Sequence, residues 1–292
     1  MNSGLASGGS IEVPAAAAPP DEAPAAPARV ASLTWENALA FAAPYLFGVF
    51  FLGAWEMIVR VKNIPAYLLP GPLLILQTLI TDFSILLPNL IVTLRTTVLA
   101  FLAAAVIGLL LGLLFTFSRW IERTLFPYAV ILQVTPIVAI APLIIIWANN
   151  TQVALLICAW IVAFFPIVSN TAVGLNSTDR NLLDLYRLYG ASKGQTLLFL
   201  KLPSALPYYL AGLRISGGLA LIGAVVAEFV AGTGGTQSGL AYRILESGYR
   251  LEIPRMFAAL LLISLTGIVI FACLSLLSRF LLRNWHESAA GE

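Results

Sequence analysis

The 292 residues are 60% hydrophobic and 10% charged, with a mean hydropathy of +0.93. Soluble domains carry roughly 25% charged residues, so this chain is composed for lipid, with room for about six spans of about 20 residues each. The net charge of +2 is too small to suggest a nucleic-acid partner, and the single histidine, His286, excludes a histidine-rich metal or haem centre.

Residues 1–38, with runs such as VPAAAAPPDEAPAAPAR, have too little apolar bulk to build a core and are expected to be disordered. They lack the basic start and apolar core of a secretory signal and carry Glu12, Asp21 and Glu22. Six spans are expected in the membrane domain 39–292, at about 41–60, 90–117, 124–147, 152–175, 206–231 and 256–281. Both termini then lie on one side. A cytoplasmic assignment puts Arg119, Arg123, Arg180, Arg187, Lys193, Lys201, Arg279 and Arg283 inside, and Arg60, Lys62, Arg243, Arg250 and Arg255 outside, following the positive-inside bias.

The third span contains Pro127, Pro136 and Pro142, so a kink or break is expected. A segment broken at membrane depth can line a pathway or merely bend for packing. Gln133, Thr135 and Pro136 at that break, and Asn170 in span four, are polar pathway candidates, although such side chains also serve as helix–helix hydrogen-bonding groups. Arg95 and Glu228 are ionisable residues near the outer ends of spans two and five, with either a functional or a snorkelling role. Arg214, roughly 12 Å into span five, is expected to meet loop carbonyls or an acid. Gly108 and Gly112 form a GxxxG that allows close helix approach, within the chain or between copies. Cys158 and Cys273 lie in apolar runs and read as packing residues, and most of the tryptophans read as interface anchors.

The loop at about 176–206 is unlike a span or an idle linker. Thr178 or Asp179 can cap a helix from Arg180, and Gly190 can end it in the left-handed region. Ser192 and Gln195 form a capping box for a second helix, which Pro203 is expected to stop, with Pro207 in the first turn of the next span. Leu182, Leu185, Tyr186 and Tyr189 recur at helical spacing on one face of the first helix. Such a hairpin suits either lipid headgroups or a protein groove. No phosphate-binding G-x-x-x-x-G-K-[ST] occurs: GASKGQT lacks the spacing, and GTGGTQSG at 232–239 reads as a flexible external turn.

The run DLYRLYGASKGQTLLFLKLPSALPYYLAGLRIS resembles the cytoplasmic EAA loop of ABC-importer permeases, with Asp184 at the Glu position, Gly190 at the Gly and Leu202-Pro203 at the Leu-Pro. Leu185 and Tyr186 replace the two alanines of that pattern. LLPGP (68–72), FSRWIERTLFP (117–127), TPIVAIAPLIIIW (135–147), FFPIVSN (164–170) and VVAEFVAG (225–232) extend the resemblance over about residues 65–283. The nitrate/sulfonate/taurine-type permeases are the most similar group, with a lean toward relatives handling pyrimidine or riboflavin-type compounds.

The resemblance implies an all-α membrane protein of about six transmembrane helices with the type-1 importer fold and a cytoplasmic coupling-helix hairpin. It also implies a multi-pass protein of the bacterial inner membrane with both termini cytoplasmic. By the same resemblance, a second permease copy (as a homodimer), two ATPase subunits using ATP and Mg, and an extracytoplasmic binding protein are the partners. The chain itself is then not an enzyme and binds no metal or other cofactor. Asp184, Leu185, Tyr186, Arg187, Gly190, Ala191, Ser192, Leu202 and Pro203 would meet the ATPase. Gln133, Thr135, Pro136, Asn170 and Glu228 are the pathway candidates. A stand-alone secondary transporter would call for inverted repeats or paired intramembrane carboxylates, and an intramembrane enzyme for a nucleophile–base pair. Neither pattern stands out in the sequence.

Overall fold

The computed structural model describes residues 35–231 and 238–283. The alanine- and proline-rich tail up to residue 34, most of the GTGGTQSG turn and His286 lie outside the described residues. All regular structure among those described is helical. The chain divides into two compact units, 1–51 and 52–292. The first contains the start of α1 (Trp35–Val61), which already includes residues 35–38. The second contains the remainder of α1 and every later element.

After α1 come α2 (Pro72–Thr81), α3 (Phe83–Phe117), α4 (Arg119–Val134), α5 (Ile137–Ala148) and α6 (Thr151–Asn176). Then follow α7 (Arg180–Leu188), the single turn α8 (Lys193–Thr196), a π-helical turn (Leu197–Lys201), α9 (Leu202–Ala231), α10 (Leu240–Tyr249) and α11 (Ile253–Leu282). Five described helices are long and apolar enough to cross a membrane, and six if α4 and α5 count as one span.

Expected span three is broken. α4 and α5 meet at 103° across Thr135 and Pro136. Thr135 N–H still closes the last turn of α4 on Ile131 O at 3.0 Å, but Pro136 has no N–H to continue the ladder. Neither half spans about 30 Å of hydrocarbon at 1.5 Å per residue. The short helices α2 and α10 were not among the expected spans, because each has only 10 residues.

The core is α3, α6 and α9 packed side by side. Ala104 and Phe115 of α3 meet Phe164, Ile167 and Val168 of α6, which also pack on Leu210, Leu213 and Ala220 of α9. Lipid removes the hydrophobic drive between spans, so small residues that permit close approach decide the packing. The GxxxG acts within the chain. A Cβ on Gly108 would stand 2.7 Å from Ile167 Cγ2, and one on Gly112 2.5 Å from Thr171 Cγ2. A second cluster joins α2, the start of α3, α10 and α11 through Ile75, Leu86, Leu240 and Ala258, with Trp55 edge-on to Phe257. Trp55 and Trp160 are partly buried packing residues, whereas Trp120 and Trp147 stand exposed as interface anchors would.

Candidate functional site

The hairpin after α6 is built by its caps. Asp179 Oδ1 accepts from Asn181 N–H at 2.7 Å and starts α7. At the other end Gly190 has φ +68°, Gly190 N–H reaches Arg187 O at 3.0 Å, and Ala191 N–H reaches Tyr186 O at 2.9 Å. These two bonds form a Schellman motif, which satisfies the last carbonyls and reverses the chain in one residue. Ser192 and Gln195 then close a reciprocal box, with Ser192 N–H donating to Gln195 Oε1 at 2.8 Å and Gln195 N–H to Ser192 Oγ at 3.2 Å.

The second arm departs from expectation. Pro203 does not stop it. A single α-turn passes into the π-turn Leu197–Lys201, where Leu202 N–H donates to Leu197 O, and the chain continues as α9. In an α-ladder the Pro203 ring would crowd the carbonyl four residues earlier, and the wider i→i+5 ring relieves that clash. Ser204 Oγ donates to Leu200 O at 2.8 Å, covering one carbonyl at this junction. Pro207 lies within α9, past its first turn. Hairpin and span are therefore one continuous helical rod, without a joint at Leu202-Pro203.

α7 buries none of its residues. At the hairpin tip Leu188 is 85% and Tyr189 83% exposed, and Leu182, Leu185 and Phe199 are exposed beside them. Tyr186 is half-buried. Asp184 pairs with Arg187 at 2.8 Å along the same helix, an exposed pair of little energetic weight. Asp184, Leu185, Arg187, Gly190, Ala191 and Ser192 are thus gathered on the hairpin, while Leu202 and Pro203 stand at its root in α9.

The pathway candidates do not share one set of bonds. Thr135 Oγ1 donates to Ile131 O at 2.6 Å at the α4–α5 break, where Gln133 and Pro136 are exposed. Asn170 Nδ2 donates to Pro166 O at 2.8 Å within α6. Among the described residues, Arg214 meets neither a loop carbonyl nor an acid. It donates to Ser278 Oγ of α11 at 3.3 Å, because Gly217 lets Leu274 and Ile270 of α11 close on that stretch of α9.

Glu228 does not snorkel. It is 3% exposed, at the centre of a polar knot joining α3, α9 and α10. Thr93 Oγ1 donates to its carboxylate at 2.8 Å and accepts Leu240 N–H at 2.9 Å, while Ala241 N–H donates to Glu228 Oε2 at 3.1 Å. The carboxylate therefore receives one of the otherwise unpaired N–H groups, that of Ala241, at the positive end of α10, while Thr93 takes that of Leu240. Gly239 makes this possible, since a Cβ there would fall 2.1 Å from the Glu228 carboxylate. Asn89 Nδ2 donates to Ser238 O at 2.6 Å, and Arg243 Nε donates to Asn89 Oδ1 at 3.0 Å. Nearby, Asp82 and Arg255 pair at 2.6 Å between the start of α3 and α11. Sequence reasoning missed Asn89, Thr93 and Arg243. The signal was a polar stripe, Asn89–Thr93–Thr97, at four-residue spacing inside an apolar run.

Comparison with known proteins agrees with this architecture. Residues 104–285 match the family model described as the binding-protein-dependent transport system inner membrane component. A probable ABC transporter permease protein of Haemophilus influenzae is 35% identical over 239 residues, 82% of this chain and 96% of that relative. The formylaminopyrimidine transport permease protein ThiX of Halalkalibacterium halodurans is 34% identical over 82% of this chain and 94% of its own length. Among solved structures, the inward-facing MetNI methionine ABC transporter shares the fold with a TM-score of 0.58 at 19% identity, covering 68% of this chain and 97% of the matched one. The chain belongs to the inner-membrane permease components of binding-protein-dependent ABC importers.

Proposed function

We propose that the hairpin Arg180–Lys201 is the coupling element through which a separate ATPase subunit drives this permease. The observation that carries this reading is the pairing of an exposed apolar tip, Leu188 and Tyr189, with a capped hairpin continuous with α9. A surface fixed at both ends of each arm transmits rigid-body displacement into the α6–α9 core, whereas a floppy loop would absorb it.

In this reading two copies of the chain pair in a bacterial inner membrane with their termini in the cytoplasm. ATP and Mg are held by two ATPase partners, and an extracytoplasmic binding protein delivers the solute. The excess of Arg and Lys on the hairpin side supports the orientation. The solute is a small organic compound or anion, of the sulfonate, nitrate or taurine kind or of the pyrimidine or riboflavin-precursor kind. The pyrimidine branch is supported by the ThiX relative. Residues at the α4–α5 break, Gln133, Thr135 and Pro136, together with Asn170, line or shape the pathway.

Co-purification tests the coupling surface. Leu188→Asp with Tyr189→Asp leaves insertion intact and abolishes recovery of the ATPase with the permease. Normal recovery with the doubly charged tip would overturn the docking role.

A further inference from the structure

Among the described arginines toward the outer side, Arg60, Arg243, Arg250 and Arg255 each hold a carboxylate. Arg95 pairs with no described acid, although it sits within α3, a 35-residue helix long and apolar enough to cross a membrane. An intramembrane guanidinium without a counter-charge is costly unless something supplies one.

Arg95 lines a cavity of about 480 Å³ between α3 and the start of α6, together with Thr96, Asn150 and Gln152. The polar groups facing this space are biased toward donation. The Asn150 carbonyl oxygen is already used, accepting Gln152 N–H at 2.9 Å and Val153 N–H at 3.3 Å, so its free capacity is the NH₂. Thr96 is 4% exposed, and its hydroxyl has no partner among the described residues, unlike the neighbouring Thr93 and Thr97 hydroxyls. The positive end of the 26-residue α6 adds to the same bias. No carboxylate among the described residues lines the cavity, and Leu99 and Leu156 are among its apolar walls.

We propose that this cavity is an oxyanion subsite, taking the sulfonate, carboxylate or phosphate head of a small organic solute against Arg95, Thr96 and Asn150. The assignment rests on the importer reading and narrows its solute to one that carries an anionic group. A lipid phosphate offers the same chemistry, so the test separates the two sources.

Full-length chain in neutral phosphatidylcholine nanodiscs is titrated with ethanesulfonate, with ethylamine as the cationic control, and read by saturation-transfer NMR. Wild type binds ethanesulfonate and not ethylamine. Arg95→Gln weakens binding about tenfold or more, the scale of a lost charge-assisted contact, and Arg95→Lys retains part of it. Thr96→Val, which keeps the side-chain shape, weakens binding severalfold and serves if the arginine variants do not fold. Equal binding by wild type and Arg95→Gln, or none by wild type, overturns the subsite. Loss of ethanesulfonate binding when phosphatidylglycerol is added assigns the cavity to a lipid headgroup and overturns the solute assignment. The readout needs no ATPase, so a failed importer reading shows separately, as absent ATP-driven uptake with binding intact.

Discussion

Thr93 and Glu228, 135 residues apart in sequence, are joined by a buried hydrogen bond of 2.8 Å that ties α3 to the end of α9. The same hydroxyl receives Leu240 N–H, so one threonine completes both a buried carboxylate and the first turn of α10. Thr93→Val keeps the shape and removes both bonds. It should destabilise the chain by about 1–3 kcal/mol, the cost of leaving a buried donor and acceptor unmet. Thermal unfolding in detergent reads this as a lowered midpoint, with a smaller shift for Thr116→Val, whose hydroxyl only back-bonds to Gly112 O at 3.3 Å.

Gly239 is fixed by the same knot. Its substitution by alanine drives a methyl group into the Glu228 carboxylate, whereas Gly248→Ala meets Met256 Sδ at an ordinary 3.6 Å. Gly239→Ala should sharply reduce the monodisperse fraction on size-exclusion chromatography, and Gly248→Ala should leave it close to wild type.

Gly190 poses the opposite case, since nothing lies within 4 Å of its added Cβ and only its φ of +68° resists a side chain. Gly190→Val should cost about 1–2 kcal/mol of local strain and open the Schellman turn. Membrane insertion should survive while recovery of the ATPase falls. Gly190→Asn, which tolerates the left-handed region, should restore most of it. Equal recovery in both variants would separate the turn from docking.

The π-turn makes a geometrical prediction. Deleting Phe199, an exposed residue inside Leu197–Lys201, removes the extra residue that the i→i+5 turn accommodates and brings the Pro203 ring back against a carbonyl four residues earlier. That clash kinks or breaks the rod at the root of the hairpin. ATPase recovery should fall although every cap is retained, and cross-linking from Leu188→Cys to the ATPase should be lost.

The caps of the hairpin were legible because each is a local rule. Asp179, Gly190, Ser192 and Gln195 act over five residues or fewer. The break at Pro136 was legible for the same reason, as proline removes a donor wherever it falls. That rule fails at Pro203, because a π-turn accommodates the ring without ending the helix. The Glu228 knot was not legible, since its partners come from α3 and α10 and no local spacing brings Thr93 or Ala241 to it. Leu185 and Tyr186 differ in surroundings, one exposed and one half-buried, so the replacement of two small residues changes the hairpin surface mainly at Leu185.

The central claim is that this permease moves solute only when its hairpin is engaged by an ATPase. The most direct measurement is solute uptake into proteoliposomes containing the permease, its ATPase and its binding protein, with and without ATP, beside liposomes containing the permease alone. Uptake is expected only in the complete system with ATP, and it should vanish when Leu188 and Tyr189 are both changed to aspartate. Uptake by the permease alone, or undiminished ATP-driven uptake with the charged tip, would contradict it.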